Sequence, residues 1–305
     1  ERIAVTGLMG ATMRPRRATL AGLKAKVNTA ALSEGLQRLG LQVIVDPMHG
    51  SAAGGLSRLL EGAAASDHLR EIRSNRDPLF GGNPPEPLAP YLKELIAEVR
   101  ASTLAGRPAV GIVFDGDGDR IAAVDEQGRF CSTQLLMPLF IDHLARARQL
   151  PGCVIKTVSG SDLMQLVAEG LERQVLEKPV GFKYIASEIL KGGVLLGFEE
   201  SGGIGFPGHI PERDGIAAGL VLLEMLAMER KPLKTLLRAL ETEFGPHRYA
   251  RIDTSFPLEK RADLMRFCAE HPPARLLKSK LAEVKAYDGV KFIAEDGSWL
   301  MLRGS

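Results

Sequence analysis

Three aspartates at alternating positions form the segment of this sequence with the clearest chemical potential. Asp115, Asp117 and Asp119 are separated by single glycines and lie between the apolar runs 111–114 and 121–124. Carboxylates held ~4 Å apart repel one another by roughly 1 kcal/mol in water and ~4 kcal/mol at a partly buried site. A divalent cation would remove this cost, and the glycines would let the backbone bend until all three side chains reach it. The segment therefore predicts a site for a hard cation in a tight loop at the end of a strand.

Two other uses of closely spaced aspartates match the same segment in part. An EF-hand calcium loop has acidic residues at positions 1, 3, 5 and 12, as Asp115 to Glu126 do, but it also needs glycine where Arg120 stands and helices on both sides. A phosphatase loop would use Asp115 as its nucleophile, but Asp119 occupies the place of a small hydroxyl residue. Arg120 beside a cation favours the first hypothesis, because a metal ion and an arginine together clamp a transferring phosphoryl group.

A second segment, residues 197–215, combines acidic, hydroxyl and basic side chains in a glycine-rich loop. Glu199 and Ser201 follow a predicted strand, where they could exchange hydrogen bonds with sugar hydroxyls. His209 and Arg213 could add contacts to phosphate, although His209 is equally compatible with an ordinary loop histidine. Lys183 stands at a helix start and indicates either an anion site or an exposed lysine.

Composition restricts the class of partner. The chain has 305 residues with 39 basic and 37 acidic side chains and no dense basic block, which argues against nucleic acid and anionic membrane as partners. Its three cysteines follow no zinc-binding spacing, and no apolar run approaches the ~20 residues that span a bilayer. We expect a cytoplasmic protein that acts on small molecules. Because the chain opens with Glu1, we also expect it to be part of a longer product.

The elements that must position these residues alternate between strands and helices, which predicts an α/β fold of mostly parallel sheets covered by helices. The periodicity and the turn signals predict strands at 41–47, 110–114, 121–124, 153–158, 194–198, 249–253 and 299–302, with a weak one at 3–6. They predict helices at 91–100, 134–148, 183–191 and 215–230, with Asp214 as the N-cap of the last. A further helix runs to about 171, with capping side chains among residues 159–162. The predicted boundaries separate α/β domains at 36–150 and 151–245 from a small α+β domain at 246–305.

Four segments in this order resemble the α-D-phosphohexomutases, the phosphoglucomutase/phosphomannomutase superfamily. They are Asp115-Gly-Asp-Gly-Asp-Arg120, Gly181-Phe-Lys-Tyr184, Gly197-Phe-Glu-Glu-Ser-Gly202 with residues 209–215, and residues 296–305. The resemblance covers roughly residues 40–305. It implies a multi-domain architecture of mixed sheets sandwiched by helices, with a truncated C-terminal α+β domain. It also implies a reversible shift of phosphate between the 1 and 6 positions of a hexose phosphate, most readily of glucose, with mannose as the alternative.

The resemblance further implies roles for individual residues. Mg²⁺ would be bound by Asp115, Asp117 and Asp119 together with a phosphoserine, and Arg120 would act at the transferring phosphoryl group. Glu199 and Ser201 would hold the sugar hydroxyls of a hexose phosphate or of the hexose 1,6-bisphosphate intermediate. The same cleft would be lined by the basic residues Lys183, His209 and Arg213, and the non-reacting phosphate would be gripped by Arg303 and Ser305. The oligomeric state is left open.

The sequence departs from the family at its start. The nucleophile motif Thr-x-Ser-His-Asn-Pro is absent, so no serine nucleophile is assigned, and residues 1–35 are expected to be at most a remnant of the domain that carries it. The phosphate loop after Arg303 stops at Ser305, before its expected continuation. We therefore expect the aspartates to supply part of a site whose nucleophilic serine is not among these residues.

Overall fold

The computed structural model describes Val27, residues 29–60 and residues 67–304. The helices are α1 (Thr29–Leu39), α2 (Gly55–Leu59), α3 (Lys93–Leu104), α4 (Thr133–Asp142), α5 (Asp162–Gly170), α6 (Phe182–Lys191), α7 (Gly215–Glu229), α8 (Leu233–Phe244) and α9 (Arg261–Glu270). None of them is long and apolar enough to cross a membrane. The weak strand predicted at residues 3–6 lies outside the described residues.

The first sheet has the strand order β2-β1-β3-β4-β5. Its strands are β1 (Gln42–Asp46), β2 (Leu69–Glu71), β3 (Ala109–Phe114), β4 (Ile121–Val124) and β5 (Phe130–Cys131). β1 runs parallel to β2 and β3, whereas β3–β4 and β4–β5 are antiparallel. The sheet is therefore mixed, as the family resemblance implied, whereas the alternation of strands and helices alone predicted mostly parallel pairing. The loop between β3 and β4 is too short for the crossover that parallel neighbours require.

The second sheet repeats this plan with the order β7-β6-β8-β9. Its strands are β6 (Cys153–Thr157), β7 (Val175–Lys178), β8 (Val194–Phe198) and β9 (Ile204–Gly205). β6 is parallel to both β7 and β8, and β9 returns antiparallel to β8. The loops that follow β6 and β8 consequently leave the same edge of the sheet, which is where open α/β sheets bind ligands.

The largest cluster of buried apolar residues includes side chains from both sheets, and α7 contributes many of its members. This helix is buried on nearly all sides and packs against α1, α2 and α4 as well as β3 and β4. Its run of apolar residues has no polar stripe, as expected of a helix surrounded by protein. The Asp214 side chain accepts a hydrogen bond from the Ala217 N–H at 2.8 Å, so it caps this helix as predicted. The cap places the start of α7 beside the aspartate loop.

Two predicted helices differ in their limits. The helix predicted at 134–148 is divided into α4 and a π-helical turn, His143–Ala147, and Pro138 inside α4 removes one backbone donor. The helix predicted at 91–100 begins at Lys93, after a 3₁₀ turn (Ala89–Tyr91) that contains Pro90. In both cases the apolar periodicity located the helix but not its limits.

The C-terminal part contains α9 and an antiparallel sheet in the order β10-β11-β12-β13. Its strands are β10 (Arg275–Leu276), β11 (Ser279–Lys285), β12 (Val290–Ala294) and β13 (Trp299–Leu302). The strand predicted at 249–253 was wrong, because this segment is an irregular connector. Its Tyr249 ring lies 6.4 Å from the Trp299 ring, and Arg251 pairs with Asp253 at 2.9 Å. Within the described residues this segment belongs to none of the three sheets, so it has no neighbouring strand with which to pair.

Candidate active site

The aspartate loop folds as a compact turn between β3 and β4. One carboxylate oxygen from each of Asp115, Asp117 and Asp119 lies within 4.8 Å of the others. Gly118 has φ +80°, a left-handed conformation that a side chain would strain. The predicted convergence of the three carboxylates is therefore the geometry observed.

Asp115 is the buried member of this cluster. Its Oδ1 accepts hydrogen bonds from the backbone N–H groups of Gly118, Asp119 and Arg120 at 3.1, 3.0 and 3.1 Å. Its Oδ2 lies 2.8 Å from Nε of Arg120. Burial nevertheless raises the pKa of Asp115 to about 7, and the charges of Asp119 and Asp117 also raise this pKa, while the Arg120 N–H and guanidinium lower it. The present counter-charges therefore leave the buried carboxylate costly to ionise.

The cluster fits a hard divalent cation. It offers only carboxylate oxygens, which Mg²⁺ and Ca²⁺ prefer. Asp119 Oδ1 is buried and accepts no hydrogen bond within the described residues, although Nε of Arg120 lies 3.6 Å away. Such an atom is expensive to leave without a partner, and a cation would supply one. An ion at this place would also offset the repulsion that raises the pKa of Asp115.

Calcium coordination of the EF-hand type is contradicted by the place of Glu126. Its side chain is buried, and its two carboxylate oxygens accept the backbone N–H groups of Leu233 and Lys234 at 2.7 and 3.1 Å. Glu126 therefore satisfies the free donors at the start of α8 and is not a loop ligand. The segments on both sides of the aspartates are strands, as predicted.

The aspartate loop is joined by backbone contacts to the loop that follows β8. The Ile121 N–H donates to the Gly202 carbonyl at 3.1 Å, and Arg120 and Gly203 form an antiparallel bridge. Gly202 has φ +108°, and a Cβ atom there would lie 2.7 Å from the Ile121 carbonyl oxygen. Only glycine fits this contact without strain. The two predicted segments thus form one continuous site.

Arg213 connects the two segments through its side chain. One guanidinium nitrogen lies 2.8 Å from Asp119 Oδ2, and another lies 3.5 Å from Glu199 Oε2. Glu199 is buried, and its other oxygen accepts the Gly181 N–H at 3.0 Å. Burial raises the pKa of Glu199, whereas the Arg213 charge lowers it. The start of α6, the sugar-type loop and the aspartate loop are therefore held together by a charged network.

A cavity of about 480 Å³ opens beside this network. Arg120 and Ser201 line it from the two loops, and its far wall includes the connector at 247–253. Hydroxyl, carboxylate and guanidinium groups therefore face a space of the size used for small ligands. A sugar phosphate offers the hydroxyls and the negative charge that such a lining can bind.

The remaining predicted residues make no hydrogen bond or ion pair to the aspartate cluster within the described part of the chain. Lys183 is exposed in the first turn of α6, with its ammonium 4.9 Å from the Tyr184 ring centroid. His209 Nε2 lies 2.6 Å from Asp214 Oδ2, and its ring lines a second, mainly apolar cavity. Arg303 pairs with Asp288 at 3.3 Å. Ser305 lies outside the described residues.

The hydrogen-bond partners of Glu200 were not predicted from the sequence. The Glu200 carboxylate accepts hydrogen bonds from Ser159 and Thr157, two residues at the end of β6 and in the loop after it. Their position at the carboxyl end of a strand next to β8 was the available signal. We assigned Ser159 only to helix capping, and the side chain that caps α5 is that of Ser161.

Comparison with known proteins identifies related chains of the same fold. The family model "Phosphoglucomutase/phosphomannomutase, alpha/beta/alpha domain II" matches residues 20–128, and the corresponding domain III model matches residues 133–244. A probable phosphoglucosamine mutase from Methanothermobacter thermautotrophicus is 33% identical over 87% of this chain and 55% of its own length. A phosphoglucomutase/phosphomannomutase from Thermococcus kodakarensis is 27% identical over 86% of this chain and 54% of its own length.

A solved structure gives the same result. The crystal structure of a candidate phosphomannomutase from Thermus thermophilus superimposes with a TM-score of 0.80 and 32% identity, over 95% of this chain and 60% of that one. The chain spans about half the length of the curated relatives it matches. The resemblance inferred from the aspartate and Glu-Glu-Ser segments is confirmed, and the chain belongs to the phosphoglucomutase/phosphomannomutase family, the α-D-phosphohexomutases.

Proposed function

We propose that the protein carrying this chain is a phosphohexomutase that interconverts hexose 1-phosphate and hexose 6-phosphate, with glucose phosphates as its preferred substrates. The reaction would pass through a phosphoserine enzyme and a hexose 1,6-bisphosphate. The observation that carries the proposal is the Arg213 bridge between Asp119 and Glu199, because it unites a cation-type cluster and a sugar-type loop in one site. Relatives named as phosphoglucosamine mutase and as phosphoglucomutase/phosphomannomutase support the reaction class. A cytoplasmic location stays a prediction.

In this proposal the aspartate loop prepares the site for a phosphoryl group. Asp115, Asp117 and Asp119 would hold Mg²⁺, which when bound supplies positive charge next to the transferring phosphoryl oxygens. Arg120 lies beside the cluster and lines the cavity, so its guanidinium can donate hydrogen bonds to the same phosphate. The backbone bridge to Gly203 and the ion pair with Asp115 hold Arg120 in place, which reduces the cost of orienting it during the reaction.

The loop after β8 would orient the sugar. Glu199 is fixed from both sides by the Gly181 N–H and by Arg213, so its carboxylate can accept from hydroxyls without further ordering. Ser201 lies on the cavity wall and can donate to or accept from a neighbouring hydroxyl. We keep Lys183, His209, Arg303 and Ser305 as phosphate contacts of the complete protein, where a bound substrate would have to draw them toward the cleft.

Isomerisation of defined hexose phosphates by the full-length protein tests the proposal. Glucose, mannose and glucosamine 1-phosphates would each be incubated with Mg²⁺ and a trace of glucose 1,6-bisphosphate, and ³¹P NMR would follow the 1- and 6-phosphate signals. We expect interconversion, fastest with glucose, and phosphate on serine by mass spectrometry. Release of inorganic phosphate without the 6-phosphate, with an alkali-labile phosphoryl group on Asp115, would establish an aspartyl phosphatase and overturn the mutase proposal.

A further inference from the structure

The loop at residues 157–161 contacts the proposed sugar-binding loop through Glu200. Ser159 Oγ donates to Glu200 Oε2 at 2.5 Å, and Thr157 Oγ1 lies 3.3 Å from the same oxygen. Both hydroxyl residues are buried. A short hydrogen bond to a carboxylate in such a place is stronger than one between neutral groups. The Glu200 side chain is therefore fixed in one direction.

Fixing Glu200 also fixes its neighbours, because they share a tight turn. The Gly202 N–H donates to the Glu199 carbonyl at 3.2 Å, and the Glu199 N–H donates to the Gly203 carbonyl at 2.9 Å. Glu200 and Ser201 are the two central residues of this turn. Anchoring the Glu200 side chain consequently restricts the backbone that carries Ser201 and Glu199, the residues proposed to hold the sugar.

The same loop is held from its other side by the C-terminal sheet. The Lys291 ammonium donates to the Val158 carbonyl at 2.9 Å, and Lys291 is only 1% exposed. Its Nζ also lies 4.2 Å from the Trp299 ring centroid. Within the described residues this carbonyl is its only hydrogen-bond acceptor. A buried ammonium is costly unless its hydrogen bonds are kept, so the contact resists separation.

A third element, α4, fixes the end of the loop. The Gln134 side chain donates to the Ser159 carbonyl at 3.0 Å and accepts the Ser161 N–H at 2.7 Å. The loop is therefore held by α4 while it contacts both the C-terminal sheet and the sugar-type loop. Val158 and Ser159 are adjacent in the chain, so a displacement of Lys291 can reach Glu200 through these two residues.

We propose that the loop at residues 157–161 couples the C-terminal sheet to the sugar-binding loop, with Ser159 and Lys291 as positioning residues for Glu199 and Ser201. The inference rests on the proposed function only for the identity of the ligand, and its structural part does not require that ligand. Neither residue lines the cavity of about 480 Å³. Ser159 acts through Glu200, and Lys291 acts through the Val158 carbonyl.

Ser159→Ala and Lys291→Met in the full-length protein test the coupling. We expect Ser159→Ala to raise the KM for glucose 1-phosphate about tenfold or more, the value for a lost hydrogen bond to a charged group, with a smaller change in kcat. Lys291→Met should change KM in the same direction. Ser159→Thr and Lys291→Arg keep the donors and should restore KM. Tyr287→Phe is the matched control, since its hydroxyl donates to Glu177 at the same interface and does not contact the loop.

Hydrogen exchange of the amides at 199–203 gives a readout that needs no activity. We expect faster exchange there in Ser159→Ala and in Lys291→Met, but not in Tyr287→Phe. We also expect the double variant to change KM by less than the product of the single effects, because both substitutions act through one loop. Unchanged exchange at 199–203 in Ser159→Ala, which removes one oxygen and should fold, would overturn the coupling even if the mutase activity is found. Lack of mutase activity with faster exchange would overturn the function and retain the coupling.

Discussion

Replacing one aspartate of the cluster should separate two effects of its charge. These are the stability that the charge removes from the metal-free protein and the affinity that it adds for a divalent cation. Asp117 is the suitable residue, because it is exposed and its carboxylate makes no hydrogen bond or ion pair within the described residues. Asp117→Asn therefore removes a charge without breaking another contact. The neighbouring Asp115 and Asp119 carboxylates lie within 4.8 Å.

The expected gain in metal-free stability follows from these distances. Two unit charges 4.8 Å apart repel by about 1 kcal/mol in water and about 3 kcal/mol at an effective dielectric constant of 20. Asp117 is exposed and screened by salt, and its two neighbours are already paired with Arg120 and Arg213, so the gain is at most about 1 kcal/mol. Metal-free Asp117→Asn should therefore melt up to about 2 °C above the wild type.

Added Mg²⁺ should reverse the order of the two melting temperatures, so that the wild type melts above Asp117→Asn. A ligand that binds only the folded state raises the free energy of unfolding by about 2.7 kcal/mol when its concentration is 100 times its dissociation constant. Asp117→Asn has lost one ligand, and we expect its dissociation constant for Mg²⁺ to rise by at least about tenfold, so the same Mg²⁺ concentration should stabilise it less.

Differential scanning fluorimetry in EDTA and in a Mg²⁺ series, with isothermal titration calorimetry, measures both quantities. Asp263→Asn is the matched control, because it removes the charge of an exposed aspartate on α9, whose partner is Arg266. It should leave Mg²⁺ affinity unchanged. If metal-free Asp117→Asn melts no higher than the wild type, the electrostatic argument is refuted. Unaltered Mg²⁺ affinity would exclude the cluster as the cation site.

Three further substitutions follow from the same structure. Gly202→Ala should lower the free energy of unfolding by about 2 to 3 kcal/mol, measured by urea denaturation, because its Cβ would lie 2.7 Å from the Ile121 carbonyl oxygen at φ +108°. Glu126→Gln should cost about 1 to 2 kcal/mol by removing one acceptor at the start of α8, and it should leave calcium affinity unchanged in a calorimetric titration. Burial lowers the pKa of Lys291 to about 8 from 10.5. Between these two pH values the unfolded chain binds more protons at Lys291 than the folded protein does. The free energy of unfolding of the wild type relative to Lys291→Met, measured by urea denaturation, should therefore rise with pH by up to about 3 kcal/mol over this window.

Each of these results has a control or a contradicting outcome. Gly192 has φ +85°, and a Cβ atom added there would have no atom within 4 Å, so Gly192→Ala should lose only the free energy that the strained backbone costs. An equal loss of unfolding free energy in Gly192→Ala and Gly202→Ala would refute the steric contact at Gly202. A loss of calcium affinity in Glu126→Gln would restore the EF-hand hypothesis. A stability difference between the wild type and Lys291→Met that stays constant from pH 8 to 10.5 would contradict the lowered pKa of Lys291.

Local patterns predicted the parts of this protein that depend on neighbouring residues. The aspartate loop was predictable because glycines and carboxylates alternate between two apolar runs. The capping role of Asp214 was predictable because its side chain binds a backbone N–H only three residues along the chain. The strand predicted at 249–253 failed because a strand requires a partner, and partners are set by the whole chain. The place of Glu126, which pairs with donors 107 and 108 residues away, had no local signal either.

The two arginines of the site suggest why a cation and a phosphate would be bound together. In this structure Arg120 and Arg213 neutralise Asp115 and Asp119, the carboxylates that a divalent cation would bind. A cation would take over these oxygens and reduce the hold of the aspartates on both guanidiniums. Arg213 already has a spare donor, since its buried Nε makes no hydrogen bond within the described residues and the nearest carboxylate, that of Glu212, is 3.5 Å away. Cation binding would therefore free fixed N–H donors for an anion, so hexose phosphate affinity should increase with Mg²⁺ by more than the added charge alone provides.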